Sequence, residues 1–455
     1  LKRQKKRTAI FSVNDQKLFL HLSRIALTFF FFIFSLPPLF IMQQKKLLVI
    51  GGGAAGFFCA VNAARLNPSL QVQLIERSSK ILSKVKISGG GRCNLTHASD
   101  DIQEMSRCYP RGERFVKKTF HQFFTQDTIN WFQERGVECK TEADGRMFPV
   151  SDSSQSIIDC LVRESNLHHV EVLMNCEARE IAEGKAAGDK KFLIKTSTGK
   201  NIDADYVCVA GGGYPKAAMF DWLTSLGHQI AAPVPSLFSF NMPGNPVTKL
   251  MGVSVPAAKL KIAGTKLSEN GPLLITHWGM SGPAILKLSA WGARTLQEME
   301  YHFNAIVNWI PAYNEQSLKD QLQQHRAHSG AQLLVNKNPL GLPARFWEFI
   351  LSESNIPSNL RWTDLSSAAF KLLVNKLSAF EVAVKGKTTF KEEFVTAGGI
   401  LLSEIDPNTM MSRKMENLFF AGEVMDVDGI TGGYNFQHAW TSGFIAAKSI
   451  AHLSS

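Results

Sequence analysis

The chain has 455 residues, 45% of them apolar and 20% charged, which excludes global disorder and a single ordinary core and suits two or three domains. Its net charge of +11 is unevenly placed: residues 1–41 hold seven cations against Asp15 and so carry +6 of it. The +5 left over is spread along the body with no basic run interleaved with aromatics, so no nucleic-acid partner is expected.

The seven cysteines (Cys59, Cys93, Cys108, Cys139, Cys160, Cys176 and Cys208) are odd in number and never spaced as Cys-x-x-Cys. That is the usage of a reduced, cytoplasmic protein, and it argues against electron transfer through a vicinal disulfide. Residues 25–41 are uncharged, follow a basic stretch and contain Phe29, Phe30, Phe31, Phe32 and Phe34, the pattern of a signal peptide or a marginal membrane anchor. Pro37 and Pro38 interrupt the run, and no small-x-small cleavage pattern follows. Leu1 is not methionine, whereas Met42 stands five residues before the first expected strand. Residues 1–41 are therefore expected to be a leader or upstream extension, with a single-span membrane tether as the other reading.

Residues 45–50 form a short, almost wholly apolar run of the kind found in a parallel strand buried on both faces. It leads into Gly51-Gly52-Gly53-Ala54-Ala55-Gly56, a G-x-G-x-x-G turn. Here Gly51 allows the turn, Gly53 admits a pyrophosphate to the backbone, and Gly56 lets the following helix (54–66) pack closely on the strand. The positive helix end faces the phosphates. A second strand, 71–75, ends at Glu76, twenty residues after Gly56, where a carboxylate accepts both ribose hydroxyls and disfavours a 2′-phosphate. Arg77 adjoins it. The ligand is expected to be FAD or NAD.

Three further segments select FAD. Ser88-Gly89-Gly90-Gly91-Arg92-Cys93-Asn94, preceded by Lys84 and Lys86, offers backbone amides along an extended ligand and cations for its phosphates, with a surface loop as the plain alternative. A strand at 206–209 leads into Ala210-Gly211-Gly212-Gly213, after a hairpin-like stretch at Thr198 and Gly199, and Ala178 is a further candidate contact. Near the C-terminus an apolar strand ends in Gly422-Glu423. Gly432-Gly433-Tyr434-Asn435-Phe436 and a helix from about 437 to 451 follow, with a helix cap as the plain alternative for Asn435 and core packing for Phe436. Amides at that helix start would stabilise negative charge on a reduced flavin. NAD alone does not require this distant second half.

Residues 50–56, 87–96, 235–236, 276–283 and 395–435 together resemble the bacterial flavoprotein family that includes aminoacetone oxidase and the flavin reductases of bile-acid dehydroxylation. The resemblance runs from Met42 to the end. It implies an α/β fold: a two-dinucleotide-type, Rossmann-like FAD-binding domain (42–238 and 393–455) interrupted by a β-barrel plus helical insert (239–392). The insert's own pattern agrees, with strand-like pieces at 258–262, 273–276 and 301–307 and helical stretches at 314–328, 344–352 and 366–376. Within it, residues 276–283 (THWGMSGP) read either as a tight turn capped by Ser281 or as a segment placing His277 over the flavin as a proton donor or acceptor. His277 is thus a catalytic candidate. No metal constellation is seen. The expected function is an FAD-dependent oxidoreductase moving a hydride between a small donor, an amine or NAD(P)H, and O₂ or an unsaturated acceptor. A flavoprotein acting on a macromolecule such as tRNA is the other class.

Overall fold

A computed structural model describes residues 44–184, 191–389 and 395–455, so the expectations for residues 1–41 fall outside it. The apolar run Lys46–Ile50 is the middle strand of a five-stranded parallel sheet. On one side lie Gln71–Ile75 and then Glu171–Leu173; on the other, Tyr206–Val209 and then Leu418–Phe420. Side chains of the central strands are buried on both faces, which explains their unbroken hydrophobicity. The helix Ala54–Leu66 follows the first strand, and the helix Tyr434–Leu453 lies against it. Gly443 permits that crossing, because a Cβ there would stand 2.7 Å from the Ala55 carbonyl oxygen. The last helix begins three residues earlier than the sequence suggested, since Gly433 (φ 96°) takes the left-handed cap position that starts it at Tyr434.

Residues 238–384 gather a separate hydrophobic core around Trp309, Trp347 and Trp362, whereas Trp440, Phe58 and Phe132 belong to the core of the parallel sheet. The two halves are joined by an antiparallel pair, Ile230–Ser236 with Val395–Ile400. The second core is built on an antiparallel sheet of seven strands and the helices Pro283–Trp291, Glu315–Ser329, Ala344–Glu353 and Ser367–Ser378. Its strand order is Phe380–Lys385, His302–Asn308, Ser254–Ile262, Ser268–Ile275, Gly279–Ser281, Ser239–Asn241 and Lys387–Thr388. The first and last strands of this order are one stretch of chain bent at Gly386, whose N donates to the Tyr301 carbonyl at 2.8 Å on one side and whose carbonyl accepts from Asn241 N at 3.1 Å on the other. The sheet therefore curls back on itself through residues 380–388, the barrel-like unit expected from sequence.

Candidate functional site

A groove of about 600 Å³ runs between the C-terminal ends of the parallel strands and the antiparallel sheet. Four stretches far apart in sequence line its first wall: 51–55 with Glu76 and Arg77; Lys84, Ser88, Gly89, Gly90 and Asn94; Ala210, Gly211 and Gly212; and Gly422, Glu423, Gly432, Gly433, Asn435 and Phe436. All of these were candidates from sequence. The opposing side includes Leu237, Ser239, Ser281, Leu286, Thr388 and Thr389, of which the sequence had marked only Ser281, as a turn cap.

The glycine turn is shaped by close approach. At Gly51 (φ 116°) a Cβ would meet the Ala210 carbonyl oxygen at 2.3 Å, and at Gly56 it would meet the Gly51 oxygen at 1.9 Å. Gly56 accordingly serves helix-to-strand packing and does not line the groove. At Gly53 the space is open, with nothing within 4 Å of a would-be Cβ. The helix starting at Ala54 has no side-chain cap and no acid in its first turn, which leaves its N-terminal amides available to an anion. Glu76 is held ready beside it: Gly52 N donates to one carboxylate oxygen and Ser78 N to the other, each at 2.8 Å, leaving acceptor capacity on both.

The C-terminal wall is tied to the N-terminal one. Lys84 Nζ donates to Glu423 at 2.6 Å, and the other Glu423 oxygen accepts from Thr396 N at 2.8 Å. With its amide turned to suit its neighbours, Asn94 accepts from Gly433 N at 3.0 Å and donates to the Thr96 carbonyl at 3.1 Å. Asn435 is not a helix cap. It binds both polar groups of Gly429, accepting from its N at 2.8 Å and donating to its carbonyl at 2.9 Å, and so fixes the loop before the helix. Phe436 lies half-buried against Trp440, their rings nearly parallel at 5.8 Å. Tyr434 is turned away from the groove, stacked on His97, with its carbonyl accepting from Tyr109.

Other candidates lie elsewhere. Arg92 turns outward, its guanidinium 4.0 Å over the Phe148 ring and paired with Glu142 at 2.6 Å. The Cys93 side chain is buried, and burial pushes its thiol up to about 12. Ala178 opens a strand of a separate three-stranded sheet. His277 is exposed and outside the groove, because Thr276 and Gly279 close a tight turn between two strands (Thr276 N to Gly279 O, 2.8 Å) that points the intervening residue to solvent. The turn reading of this segment is thus the one seen, but Ser281 caps no helix: it accepts from Ser239 Oγ at 2.7 Å and faces the groove.

The sequence also passed over His438, on the second turn of the last helix. It lines the groove and is buried, yet among the described residues neither ring nitrogen has a hydrogen-bond partner. Burial lowers its pKa to about 4, the nearby Gly422 carbonyl opposing this without reaching bonding geometry, so the ring is neutral near pH 7. A buried imidazole lacking partners on the cofactor wall is what a polar ligand completes. With the open space at Gly53, the uncapped helix and the anchored Glu76, it makes the groove fit FAD: residues 52–55 would hold the diphosphate, Glu76 would accept the adenosine ribose, and 430–436 would face the ring system.

A parallel sheet with a diphosphate turn, completed by a C-terminal strand and helix, is the site of an FAD-dependent oxidoreductase. The chain belongs to the family described as "HI0933-like protein Rossmann domain", whose model matches residues 45–449. Its cofactor is FAD. It is 27% identical to the 3-dehydro-bile acid delta(4,6)-reductase of Clostridium scindens, over 87% of this chain and 96% of that protein. It is 29% identical to the ribosomal RNA dihydrouridine synthase of Escherichia coli K12, over 87% of this chain and 95% of that protein. Among solved structures, the 3-ketosteroid-delta4-(5alpha)-dehydrogenase of Rhodococcus jostii RHA1 overlays with a TM-score of 0.47 at 13% identity, covering 91% of this chain and 98% of that one. Among the described residues no helix is long and apolar enough to cross a membrane.

Proposed function

We propose that this protein is an FAD-dependent reductase of a carbon–carbon double bond conjugated to a carbonyl group, with reduced nicotinamide as the donor. The observation that carries this reading is the chemistry of the wall opposite the cofactor residues. Among the described residues, residues 239–389 contribute the hydroxyls of Ser239, Ser281, Thr388 and Thr389 beside the apolar Leu286 there. A neutral carbonyl compound asks only for a hydrogen-bond donor and an apolar surface, and both are present.

Bound FAD would supply the hydride chemistry, taking two electrons from the nicotinamide and giving them to the alkene. The protein's part is to hold the diphosphate on the first helix, to fix the 429–435 loop through Asn435, and to present hydroxyls to the substrate. Both relatives above carry names that denote saturation of a double bond, in a bile acid and in uridine of ribosomal RNA. The second of these supports a second reading, in which the same bond chemistry acts on a pyrimidine within RNA.

Anaerobic mixing with NADH, NADPH and small amines, followed by exposure of the reduced protein to an enone or to air, tests the proposal. Reduction by a nicotinamide and reoxidation by the enone with saturated product is expected. Reduction by amines, or rapid reoxidation in air with stoichiometric hydrogen peroxide and none by the enone, would overturn it. Saturated pyrimidine in RNA with no turnover of small enones would shift the assignment to the second reading.

A further inference from the structure

The hydroxyls opposite the cofactor residues form an ordered pair. The strands Ser239–Asn241 and Gly279–Ser281 run antiparallel, with Phe240 opposite Met280 and Asn241 opposite Gly279, and the same register brings Ser239 to Ser281. Ser239, only 2% exposed, donates its proton to Ser281 Oγ at 2.7 Å. The Ser281 oxygen is therefore already an acceptor, and among the described residues its own proton has no protein acceptor; it faces the groove.

This pair is rigidly placed against the cofactor wall. Buried Asp428, one residue before the Gly429 loop, takes both Nε and Nη2 of Arg111 and the Ser236 hydroxyl at 2.8 Å. Arg111 Nη1 also donates to the Ala290 carbonyl at 2.8 Å, on the helix Pro283–Trp291 that begins two residues after Ser281. From the other side, Phe238 N donates to Ser289 Oγ at 2.9 Å. Arg111 and Asp428 thus set the spacing between the serine pair and the loop that the flavin ring system would face.

We propose that the Ser281 hydroxyl donates to the carbonyl oxygen of an α,β-unsaturated carbonyl substrate in this groove, and that Ser239 positions it. The inference rests on the reductase reading given above. In the step it serves, hydride adds to the β-carbon and the alkene electron pair shifts to leave negative charge on the carbonyl oxygen, where the Ser281 O–H stabilises it. Water entering from the open side of the groove gives the α-carbon its proton.

Two readouts test this on the FAD-loaded protein. The first uses 4-hydroxybenzaldehyde, whose phenolate mimics the enolate, and follows long-wavelength charge-transfer absorbance with oxidised flavin. Wild type is expected to bind it with a lowered phenol pKa. Ser281→Ala is expected to lose about tenfold or more in affinity and to return that pKa toward its solution value. Ser281→Thr keeps the donor and should keep the band, and Ser239→Ala should give an intermediate effect. The second readout is reoxidation of the photoreduced protein by 2-cyclohexenone, expected to slow by roughly 10²-fold in Ser281→Ala. If Ser281→Ala loses flavin, Ser281→Cys, of similar size but a weak donor, is the deciding variant. Ser281→Ala, or Ser281→Cys in its place, that retains FAD, binds the phenolate and reoxidises like wild type overturns the role of Ser281. A wild type that no enone reoxidises removes the reductase reading itself, and the inference with it.

Discussion

Gly53 and Gly56, three residues apart in one turn, should respond to the same substitution in opposite ways. In Gly56→Ala the new methyl would stand 1.9 Å from the Gly51 oxygen, 3.1 Å from its carbonyl carbon and 3.4 Å from Val49 Cγ1. The first contact is roughly 1.5 Å inside ordinary van der Waals distance. Gly51 cannot yield, being itself packed against the Ala210 carbonyl, so the helix Ala54–Leu66 must shift. Overpacking in a core costs about 1–3 kcal/mol, and a backbone obstacle on both sides places this variant at or above the upper end. In Gly53→Ala the backbone is extended (φ −90°, ψ −170°), a conformation any residue adopts, and the methyl meets nothing. The FAD-free protein should be unchanged or gain about 0.4–1 kcal/mol from a less flexible unfolded chain. The methyl would instead fill space the diphosphate needs, and FAD affinity should fall by about a hundredfold, ~2.7 kcal/mol. Urea unfolding of the FAD-free proteins and flavin fluorescence titration separate the two effects. Gly53→Ala binding FAD like wild type, or Gly56→Ala unfolding like wild type, would refute this account of the turn.

Arg111→Ala strands the buried Asp428 carboxylate, whose pKa burial already pushes up against the pull of Arg111 and Ser236, and should cost about 3–5 kcal/mol in denaturant unfolding. Arg111→Met with Asp428→Leu should restore most of that loss. His438, with its pKa lowered to about 4 by burial, takes up a proton in the unfolded chain before it does so in the folded one. FAD-free protein should therefore lose stability as pH falls from about 6.5 to 4, by an amount on the order of 3 kcal/mol for this group, and His438→Phe should remove that share of the slope. Arg92→Gln should leave FAD affinity within about 0.5 kcal/mol of wild type by titration, because the guanidinium lies over Phe148 and not in the groove.

What the sequence disclosed about the groove is what local backbone geometry dictates. A glycine turn between an apolar strand and a helix, with an acid twenty residues on, leaves few alternatives, and Gly51, Gly53 and Glu76 line the groove together. The C-terminal strand and helix were legible for the same reason, and they pair beside Tyr206–Val209 and pack on the first helix. Side-chain destinations were not legible where a distant element decides them. Arg92 follows a glycine run that suggests phosphate, but the strand Arg146–Pro149 brings Phe148 beneath it. His277 drew attention as an imidazole, whereas its two-strand turn exposes it and leaves Ser281 facing inward. Asp428, Arg111 and Ser236 are separated by up to 317 positions in pairing, and no periodicity encodes such a contact.

The central claim is that one groove, assembled from both ends of the chain and faced by the antiparallel sheet, holds the flavin where a substrate can meet Ser281. A crystal structure of the FAD-bound protein tests it most directly. The account predicts the diphosphate against the amides of residues 52–55, the adenosine ribose on Glu76, and the ring system between the 430–436 loop and the Ser281 and Leu286 side. FAD held elsewhere, or with its ring system turned away from the antiparallel sheet, would contradict it.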